Sequence, residues 1–520
     1  MSDGEISRLY HEATGFGSGR PPRPDFPGFV PSDPRNRPHP FKRYPGAPVR
    51  DLPTDLPPGG APAVTALSGR VPPEQTGVDL EFLARLLFFT TGVTRRTVVQ
   101  DLDIWFRTAP SAGNRHPVEM YVAAGAVQGL EPGLYHFAPD VFGLEELSPG
   151  DCRPAMAGAA AASEVASAPL VLVLTGIPWR TAWKYGERGW RHVYWDAGTA
   201  LANLLTVAEA YGARARVLLG FVDSALCRSL GIDDTAEFPV AMLVVGGPGE
   251  VGEAEADGCA PPSLEAARLS PAPLEFPLIT RVQQAGELAT AEQVTAWRAT
   301  ARLGPPTARD GVEPPASAPE EPIESVILRR GSTRRMRQEV LPAELLEWGM
   351  AVATRRLPSD AVPAGATLLS HQLDVHAVQG VESGLYHWAG GRAEPYRTVP
   401  EAAARRLSRY LCGNQALGGD SAFTVFMCAD LDRVLVAYGD RGYRVAQLEA
   451  GVAAGRLQLA AFALGYGATG LTFTDDDVSA AFGSGAACML AISVGTPAYR
   501  GRPGGPPGRP SRVRVDLITR

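Results

Sequence analysis

The chain has 520 residues, and its formal net charge of −7, from 49 basic and 56 acidic side chains, argues against a nucleic-acid-binding protein. At about 150 residues per domain, this length predicts two to four domains. Hydrophobic residues make up 45% of the chain and charged residues 20%, as in globular proteins with a large core. The first residues do not resemble a signal peptide, and the longest apolar run, residues 169–177, is too short to span a bilayer. We therefore expect a cytoplasmic protein with no membrane partner.

The basic residues are unevenly divided between the two basic types, with 47 arginines and only two lysines, Lys42 and Lys184. Replacing lysine by arginine has little effect on a solvated surface. It matters where chemistry needs an amine that can lose its proton, because arginine stays charged. The two remaining lysines are therefore candidates for specific roles.

Cysteine and histidine show no metal-binding or redox spacing. No two cysteines form a Cys-x-x-Cys pair, and the eight histidines form no ligand pattern. The sequence therefore predicts reduced thiols and no metal site. The cysteines are Cys152, Cys227, Cys259, Cys412, Cys428 and Cys488.

The chain begins with a proline-rich segment, which we assign to residues 1–75. Residues 21–60 contain 13 prolines in 40 positions, too many to build a core of their own. This segment is predicted to wrap the surface as extended chain, and the aromatic side chains of residues 39–45 could dock against a domain.

An internal repeat organises the rest of the chain. Residues 129–137 recur at 380–388, and residues 185–191 recur at 438–444, at offsets of 251 and 253. Asp196-Ala-Gly198 recurs as Glu449-Ala-Gly451 at the second offset. Matches in the same order at nearly the same offset indicate two homologous domains. The predicted organisation is domain 1 at 76–250, a linker with a short helix at 251–321, domain 2 at 322–502, and a flexible basic tail at 503–520.

Both copies mix strands and helices without strict alternation, so the sequence predicts an α+β fold rather than a doubly wound sheet. The apolar spacing of residues 194–211 is typical of a helix. The other predicted elements are strands at 118–127, 169–176 and 240–245 in the first copy, and a strand at 422–428, a helix at 446–466 and a strand at 488–494 in the second.

Two motifs of the first copy are candidates for ligand binding and chemistry. Residues 110–117 read Pro-Ser-Ala-Gly-Asn-Arg-His-Pro, and such small residues let a backbone approach a flat ligand closely. Lys184 and Tyr185 could exchange protons if burial lowers the pKa of the amine. The alternatives are an ordinary loop before a strand and a surface lysine beside a packing tyrosine. The scarcity of lysine favours a function for Lys184.

Two motifs of the second copy could hold a phosphate. Arg330-Gly-Ser332-Thr-Arg334 lies at a predicted helix start, and Arg500-Gly-Arg502 follows the last strand. Arginine forks and backbone amides suit a phosphate group. The alternative is a solvated basic patch.

Together these motifs resemble the nitroreductase-like flavoproteins. Arg330-Gly-Ser-Thr-Arg334 is similar to their Arg-x-Ser-x-Arg phosphate loop. Residues 111–117, 129–136 and 184–191 resemble the azoline-oxidase (SagB/ThcOx-type) branch of that family. Tyr10-His-Glu-Ala-Thr14 and Phe41-Lys-Arg-Tyr44 also resemble that branch.

The resemblance implies an α+β dimer with FMN at the subunit interface, here replaced by an intramolecular pseudo-dimer. It also implies oxidation of thiazolines or oxazolines in a ribosomally made peptide to azoles, with a cyclodehydratase as a partner. Lys184 and Tyr185 match the catalytic Lys-Tyr pair of the branch. The cofactor-binding positions would be Ser111, Ala112, Gly113, Asn114, Arg115, Arg330, Ser332, Arg334, Arg500 and Arg502.

Each copy lacks motifs that the other copy retains. At the phosphate-loop position, residues 64–70 of the first copy contain one arginine, and the first copy ends in the acidic sequence 246–250. The second copy has residues 363–369 in place of the Asn loop and Ala437 in place of Lys184. We therefore predict one complete site and one FMN per chain.

Two other functions remain open from the sequence. A generic NAD(P)H-dependent nitro- or quinone reductase would share the fold but would not call for the Lys-Tyr pair. A non-enzymatic scaffold for a cyclodehydratase would combine two degenerate copies. Random decay need not leave one complete set of motifs, which argues against the scaffold.

Overall fold

The computed structural model describes residues 4–17, 32–74, 77–99, 102–125, 127–246, 259–299, 309–362 and 366–514. Two domains of mixed helices and strands follow one another along the chain, which confirms the predicted α+β class. Within the described residues, no helix is both long enough and apolar enough to cross a membrane.

Domain 1 is built on a sheet of seven antiparallel strands. The N-terminal segment contributes α1 (Glu5–Thr14), β1 (Val49–Asp51), which joins this sheet, and α2 (Ala63–Leu67). Then follow α3 (Leu80–Thr91), β2 (Val93–Val99), β3 (Leu102–Arg107), β4 (Val118–Ala124), β5 (Gly133–Ala138), β6 (Gly143–Pro149), α4 (Arg153–Ala160), α5 (Glu164–Ser167), β7 (Leu170–Gly176), α6 (Pro178–Tyr185), α7 (Gly189–Ala210), β8 (Ala215–Leu218), α8 (Asp223–Leu230) and β9 (Phe238–Val245). The strand order is β1-β6-β5-β4-β7-β9-β8.

The described part of the linker contains two helices, α9 (Pro277–Ala285) and α10 (Ala291–Ala299), where the sequence predicted one. Pro277 occupies the first helical position of α9, a place that suits its fixed backbone angle. Leu278 and Val282 lie one turn apart and are buried. The linker is therefore packed against the domains over both helices.

Domain 2 repeats the arrangement of domain 1. Its elements are α11 (Ile323–Arg329), β10 (Met336–Arg337), α12 (Ala343–Ala353), β11 (Ser370–Val375), β12 (Gly384–Ala389), β13 (Arg392–Thr398), α13 (Glu401–Leu411), α14 (Ala416–Asp420), β14 (Phe423–Ala429), α15 (Leu431–Tyr438), α16 (Asp440–Ala463), β15 (Gly467–Leu471), α17 (Asp475–Phe482) and β16 (Ala487–Pro497). The sheet runs β10-β16-β14-β11-β12-β13, and β15 also pairs with β16. The order β13-β12-β11-β14-β16-β15 thus reproduces β6-β5-β4-β7-β9-β8, as the repeat predicted.

Helices α7 and α16 pack against each other at the centre of the molecule, where the repeated glycines meet. A Cβ atom on Gly198 would lie 2.4 Å from the Leu448 carbonyl oxygen and 2.6 Å from the Gly451 Cα. A Cβ atom on Gly451 would lie 2.6 Å from the Trp195 carbonyl oxygen. The two glycines therefore permit a backbone-to-backbone crossing that joins the domains.

We expect Gly198→Ala to destabilise the protein by about 1–3 kcal/mol, because the added methyl group has backbone atoms as its neighbours and the helices must move apart. Chemical denaturation measures the effect. Gly158→Ala in α4 is the matched control, since no atom lies within 4 Å of its added Cβ. Equal stability of the two variants would contradict the close crossing.

Arginines of the repeated Tyr-Gly-x-Arg-Gly-x-Arg motif join the two domains. Arg191 donates to Asp475 Oδ1 at 2.6 Å, and Arg188 donates to Asp475 Oδ2 at 3.1 Å. All three side chains are buried. Burial acts to raise the pKa of Asp475, but the two guanidinium groups outweigh it and hold the pKa at about 2.

The second copy of the motif makes the reciprocal contact with domain 1. Arg441 donates to Asp223 Oδ2 at 2.7 Å, and Arg444 donates to Asp223 Oδ1 at 2.8 Å. Each carboxylate lies in the first turn of its helix, α17 or α8. We call these two groups of three residues the clamps, and they account for the arginines of the repeated motif.

Helix α1 spans both domains beside the clamps. The Tyr10 hydroxyl donates to the Glu187 carbonyl oxygen at 2.5 Å, and the Ser7 amide donates to Asp440 Oδ1 at 2.8 Å. The aromatic ring of Tyr10 is fully buried between Trp190 and Tyr443. The N-terminal segment thus contributes a helix to the interface in addition to extended chain.

Lys42, which had no role in the sequence interpretation, is buried in domain 1. Its Nζ donates to Glu237 Oε2 at 2.5 Å and to the Tyr121 hydroxyl at 2.7 Å. Burial acts to lower the pKa of Lys42, but Glu237 outweighs it and the pKa is raised. Phe41 and Tyr44 beside it are also buried. This lysine therefore anchors the segment to domain 1.

Two cysteines form a disulfide, which corrects the prediction of six reduced thiols. Cys152 and Cys259 are bonded, with their Cα atoms 4.7 Å apart and a sequence separation of 107. No short spacing marks such a pair, so the sequence contained no signal for it. The other four cysteines are free and buried.

The predicted flexible tail at 503–520 is partly ordered. Strand β17 (Ser511–Arg514) runs parallel to β2 of domain 1 and completes a three-stranded sheet with β3. The Gly504 amide donates to the Leu328 carbonyl oxygen at 2.7 Å, and the Gly505 amide to that of Thr94. The edge of the β2–β3 hairpin offers free backbone groups to the tail, which composition alone does not reveal. Residues 515–520 lie outside the described residues.

Candidate active site

Lys184 and Tyr185 come together with the small-residue loop of domain 1. They end α6, and they lie over Gly113, whose φ of +58° suits glycine. A Cβ atom on Gly113 would lie 2.5 Å from the Tyr185 hydroxyl and 2.9 Å from Lys184 Nζ. Gly113, Lys184 and Tyr185 therefore form one surface, and the backbone angle and close neighbours of position 113 favour glycine there.

Asp196 on α7 anchors the start of this loop. The Ser111 hydroxyl donates to Asp196 Oδ2 at 2.5 Å, and the Ala112 amide donates to Oδ1 at 3.0 Å. Burial raises the pKa of Asp196 to about 7, opposed by these two hydrogen bonds. The carboxyl group thus fixes the loop to the central helix.

The side chain of Asn114 is engaged inside the protein. Its Nδ2 donates to the Trp105 carbonyl oxygen at 2.8 Å, and Nε2 of His116 donates to its Oδ1 at 2.8 Å. Burial, followed by nearby arginines, holds the pKa of His116 well below its usual value. The resemblance placed Asn114 among the cofactor-binding positions, and the structure engages both polar groups of its amide within the protein, where they shape the loop.

Arg115 lies at the rim of the site. Its Nε donates to the Gly113 carbonyl oxygen at 3.1 Å, and its guanidinium group lies 5.0 Å from the ring centre of Trp183. Burial, and then the charge of Arg37, lower its pKa to about 10. Arg37 therefore brings a cation of the N-terminal segment to the same rim.

Domain 2 supplies Arg330, which reaches across the domain interface. The residue follows the end of α11 and does not begin a helix, which corrects the predicted helix start. Its Nη2 donates to the Thr108 carbonyl oxygen at 2.8 Å, just before the small-residue loop. Its Nε is buried and has no hydrogen-bond partner among the described residues. Burial, and then the charge of Arg95, lower its pKa to about 10. This guanidinium group is held by carbonyl and amide oxygens, so its positive charge is not neutralised there.

Arg334 brings a second cation of domain 2 to the site. Its amide donates to the Tyr499 hydroxyl at 3.0 Å, and its side chain is exposed. Its charge acts on both Lys184 and Tyr185. The predicted residues of the two copies are therefore neighbours across the interface. Ser332, between Arg330 and Arg334, is half-buried.

Of the last two predicted arginines, Arg502 lies beside the β2–β3 hairpin. The Arg502 carbonyl oxygen accepts a hydrogen bond from Arg95 Nη1 at 3.2 Å, and Arg500 is exposed. Burial lowers the pKa of Arg95, and the charge of Arg502 lowers it further. Arg95 was missed in the sequence, where residues 95–96 are two arginines among many.

The environment sets opposite tendencies for the two groups over Gly113. Burial, and then Arg115 and Arg334, lower the pKa of Lys184. Burial and Asp196 raise the pKa of Tyr185 to about 12 against the same two arginines. The tyrosine is therefore a phenol at neutral pH, and the lysine releases its proton more easily than usual.

His192, another residue that sequence reasoning missed, packs on the tyrosine. Its ring centre lies 4.1 Å from that of Tyr185. Burial, and then neighbouring cations, hold its pKa well below the usual value, so the ring is neutral. Its place one residue after the repeated motif, opposite Val445 in the second copy, was the available signal.

The corresponding place in the second copy has a related anchor and different chemistry. Thr367 and the Leu368 amide bind the carboxylate of Glu449 at 2.5 and 3.0 Å, as Ser111 and Ala112 bind Asp196. Thr367 is thus the counterpart of Ser111, four residues beyond the position given by the sequence comparison. Ala437 occupies the position of Lys184.

Both halves of the chain match one family of oxidoreductases. The family model, described as the nitroreductase family, matches residues 74–247 and 327–496. The chain therefore belongs to the nitroreductase family and contains its FMN-type oxidoreductase fold twice. The predicted domains, 76–250 and 322–502, differ from these limits by a few residues.

Individual proteins show the same relationship. A protein of Methanocaldococcus jannaschii named as a nitroreductase is 30% identical over 170 residues, which is 32% of this chain and 81% of that protein. A crystal structure described as a nitroreductase of Anabaena variabilis is 25% identical and superposes with a TM-score of 0.73 over 95% of this chain and 99% of its own. A shorter one from Ralstonia eutropha, 23% identical with a TM-score of 0.32, covers 44% of this chain and 96% of its own. The Anabaena variabilis structure thus shares the tandem arrangement along nearly the whole chain.

Proposed function

We propose that this chain is an FMN-dependent oxidase that converts thiazoline or oxazoline rings of a ribosomally made peptide to azoles. A single composite site between the domains would carry the reaction. The observation that carries the proposal is the meeting of Lys184 and Tyr185 over Gly113, within the field of Arg334 from the other domain. The peptide substrate and a cyclodehydratase partner are parts of the same proposal.

The residues present fit an FMN group. Arg330 is a buried cation with an unpartnered Nε, and it needs an anion such as a phosphate for compensation. Arg334 and Arg502 of domain 2, with Arg95 of domain 1, would add to the phosphate grip. The loop from Ser111 to Arg115, opened by the positive φ of Gly113, would accept the flat ring system against its backbone.

The chemistry divides between cofactor and protein. FMN, when bound, supplies a hydride acceptor. The protein must remove a ring proton from the azoline, and Lys184 with its lowered pKa is the group best suited to take it at Nζ. Tyr185, kept as a phenol by its raised pKa, would orient the ring by donating a hydrogen bond. Arg115 and Trp183 would form the rim that the peptide crosses.

Arg330→Met is expected to weaken FMN binding by at least tenfold, because it removes a charged hydrogen-bond donor that contributes about 1.5–3 kcal/mol. Fluorescence titration of the flavin measures the effect. Arg329→Met, which removes the neighbouring arginine paired with Glu321 at the surface, is the control. An unchanged dissociation constant in the first variant would remove Arg330 from the site.

The experiment that tests the proposed function is mass spectrometry of a cyclised precursor peptide after incubation with the FMN-loaded protein. Loss of two hydrogens per ring is the expected result. An unchanged peptide mass, together with bleaching of the flavin by NADPH in the absence of oxygen, would support the generic reductase instead. Protein that takes up no FMN would point to the scaffold.

A further inference from the structure

The mouth of the candidate site carries cations from two separate parts of the chain. Arg115 belongs to the small-residue loop and Arg37 to the N-terminal segment, and both side chains are half-buried. Arg115 lies close to the proposed base, because its Nε donates to the carbonyl oxygen of Gly113, over which Lys184 lies. Its guanidinium group lies 5.0 Å from the ring centre of Trp183. We call Arg37, Arg115 and Trp183 the rim.

A short turn of the N-terminal segment holds Arg37 beside α6. The turn, Pro34–Asn36, is capped by Asp33, whose carboxylate accepts a hydrogen bond from an amide of the turn at 2.9 Å. The carbonyl oxygen of Asp33 accepts a hydrogen bond from Trp183 Nε1 at 2.9 Å. Two hydrogen bonds between the last residue of the turn and Ala272 tie it to the linker. Arg37, the next residue in sequence, therefore has a fixed backbone position at the mouth of the site.

The positive charge of the rim is not neutralised within the described part of the chain, where Arg37 and Arg115 form no ion pair with a carboxylate. After burial, the charge of Arg115 is the next cause that lowers the pKa of Lys184, and the charge of Arg37 lowers the pKa of Arg115. Two carboxylates are already engaged, Asp33 in the cap of the turn and Asp196 beneath the loop. The mouth therefore presents unpaired guanidinium groups to an incoming substrate.

The rim accompanies Lys184 and is missing from the second copy of the repeat. Val436 occupies the position of Trp183 there and is 81% exposed. Residues 363–369, which take the place of the Asn loop, contain no charged residue. The arginines of domain 2 that were assigned to the flavin phosphate are different residues, so the rim remains charged when a phosphate is bound. The rim therefore belongs with the proposed chemistry rather than with the fold.

We propose that Arg37 and Arg115 bind carboxylate groups of an acidic peptide, which crosses the ring of Trp183 on its way to Lys184. Guanidinium groups bind carboxylates through paired, charge-assisted hydrogen bonds, and an indole ring offers a flat apolar wall to a peptide. A basic peptide would be repelled by the same two arginines. The inference rests on the proposed function, because it names the chemistry of its substrate, with glutamate or aspartate residues beside the azoline ring.

The test is the affinity of the FMN-loaded full chain for two synthetic thiazoline peptides, measured by fluorescence anisotropy of a label on each peptide. The peptides differ only in the residues beside the ring, which are glutamates in one and glutamines in the other. The glutamate peptide is expected to bind about tenfold more tightly at low ionic strength, and added salt should reduce this preference. Arg37→Gln combined with Arg115→Gln is expected to abolish it.

The matched control is Arg228→Gln combined with Arg433→Gln, which removes two exposed arginines from α8 and α15, helices that do not carry the site. This variant should keep the preference for glutamate. Equal affinities of the two peptides for the original chain, or a preference that persists without Arg37 and Arg115, would overturn the proposal. If the Arg37 and Arg115 double variant loses FMN, Arg37→Gln alone decides, because Arg37 is not part of the small-residue loop.

Mass spectrometry of the same samples separates this inference from the proposed function. Charge-dependent binding of the glutamate peptide without loss of two hydrogens would support the rim and overturn azoline oxidation. Azole formation from both peptides with equal kcat/KM would support the oxidase and overturn the role of the rim.

Discussion

Lys184→Ala is expected to retain FMN. Its rate of azole formation is expected to fall by about 10²- to 10⁴-fold, the usual contribution of a positioned acid–base group. The amine lies over Gly113, and burial together with Arg115 and Arg334 lowers its pKa, which favours proton acceptance. Mass spectrometry of the product and flavin absorbance of the variant measure the two effects separately.

Lys184→Arg separates charge from proton transfer. Arginine retains the positive charge but does not give up its proton at neutral pH. If the amine is the base, this variant is expected to be as inactive as Lys184→Ala. Tyr438→Phe, at the counterpart of Tyr185 in the second copy, should keep full activity. Wild-type turnover by Lys184→Arg would contradict a proton-transfer role.

The second large effect is expected at the clamps. Asp475→Ala leaves Arg188 and Arg191 buried without their carboxylate, and breaking a buried ion pair in this way costs about 3–5 kcal/mol. Asp223→Ala should destabilise by a similar amount, because Arg441 and Arg444 bind it in the same manner. Chemical denaturation of the FMN-loaded chain is the measurement.

Asp432→Ala serves as the control for the clamp variants, since it removes an exposed ion pair with Arg8 that contributes about 0–1 kcal/mol. The pKa of Asp475, about 2, lies below that of an unfolded aspartate. Its stabilisation is therefore complete above the unfolded pKa and is lost as the pH falls from about 4 toward 2. If Asp475→Ala and Asp432→Ala have the same free energy of unfolding, a structural role for the clamps is contradicted.

The repeat made much of the architecture predictable, because two sequence copies at one offset must fold alike. It identified the tandem domains, the α+β class and the motif arginines. It did not assign the arginines a role, since their partners Asp223 and Asp475 lie outside the motif, in helices that reach them only through the fold. The helix predicted at 194–211 begins at Gly189 instead, because the preceding motif continues directly into α7.

The candidate site was predictable where its chemistry required rare residues. Lys184 was recognised because lysine is scarce in this chain, and the loop at 111–115 because small residues cluster there. Arg95 and His192 were missed because neither lies within the motifs that the sequence analysis singled out, and a hairpin and a helix bring them to the site. The Cys152–Cys259 bond depends on a contact between segments far apart in sequence, which no local pattern encodes.

The central claim is that the two domains build one composite flavin site, with the phosphate grip from domain 2 and the Lys-Tyr pair from domain 1. The most direct test is the ratio of FMN to protein after saturation and removal of free flavin, by absorbance of released FMN and quantitative amino-acid analysis. One FMN per chain is the predicted result, and Arg330→Met should reduce it toward zero. Two FMN per chain would contradict the claim.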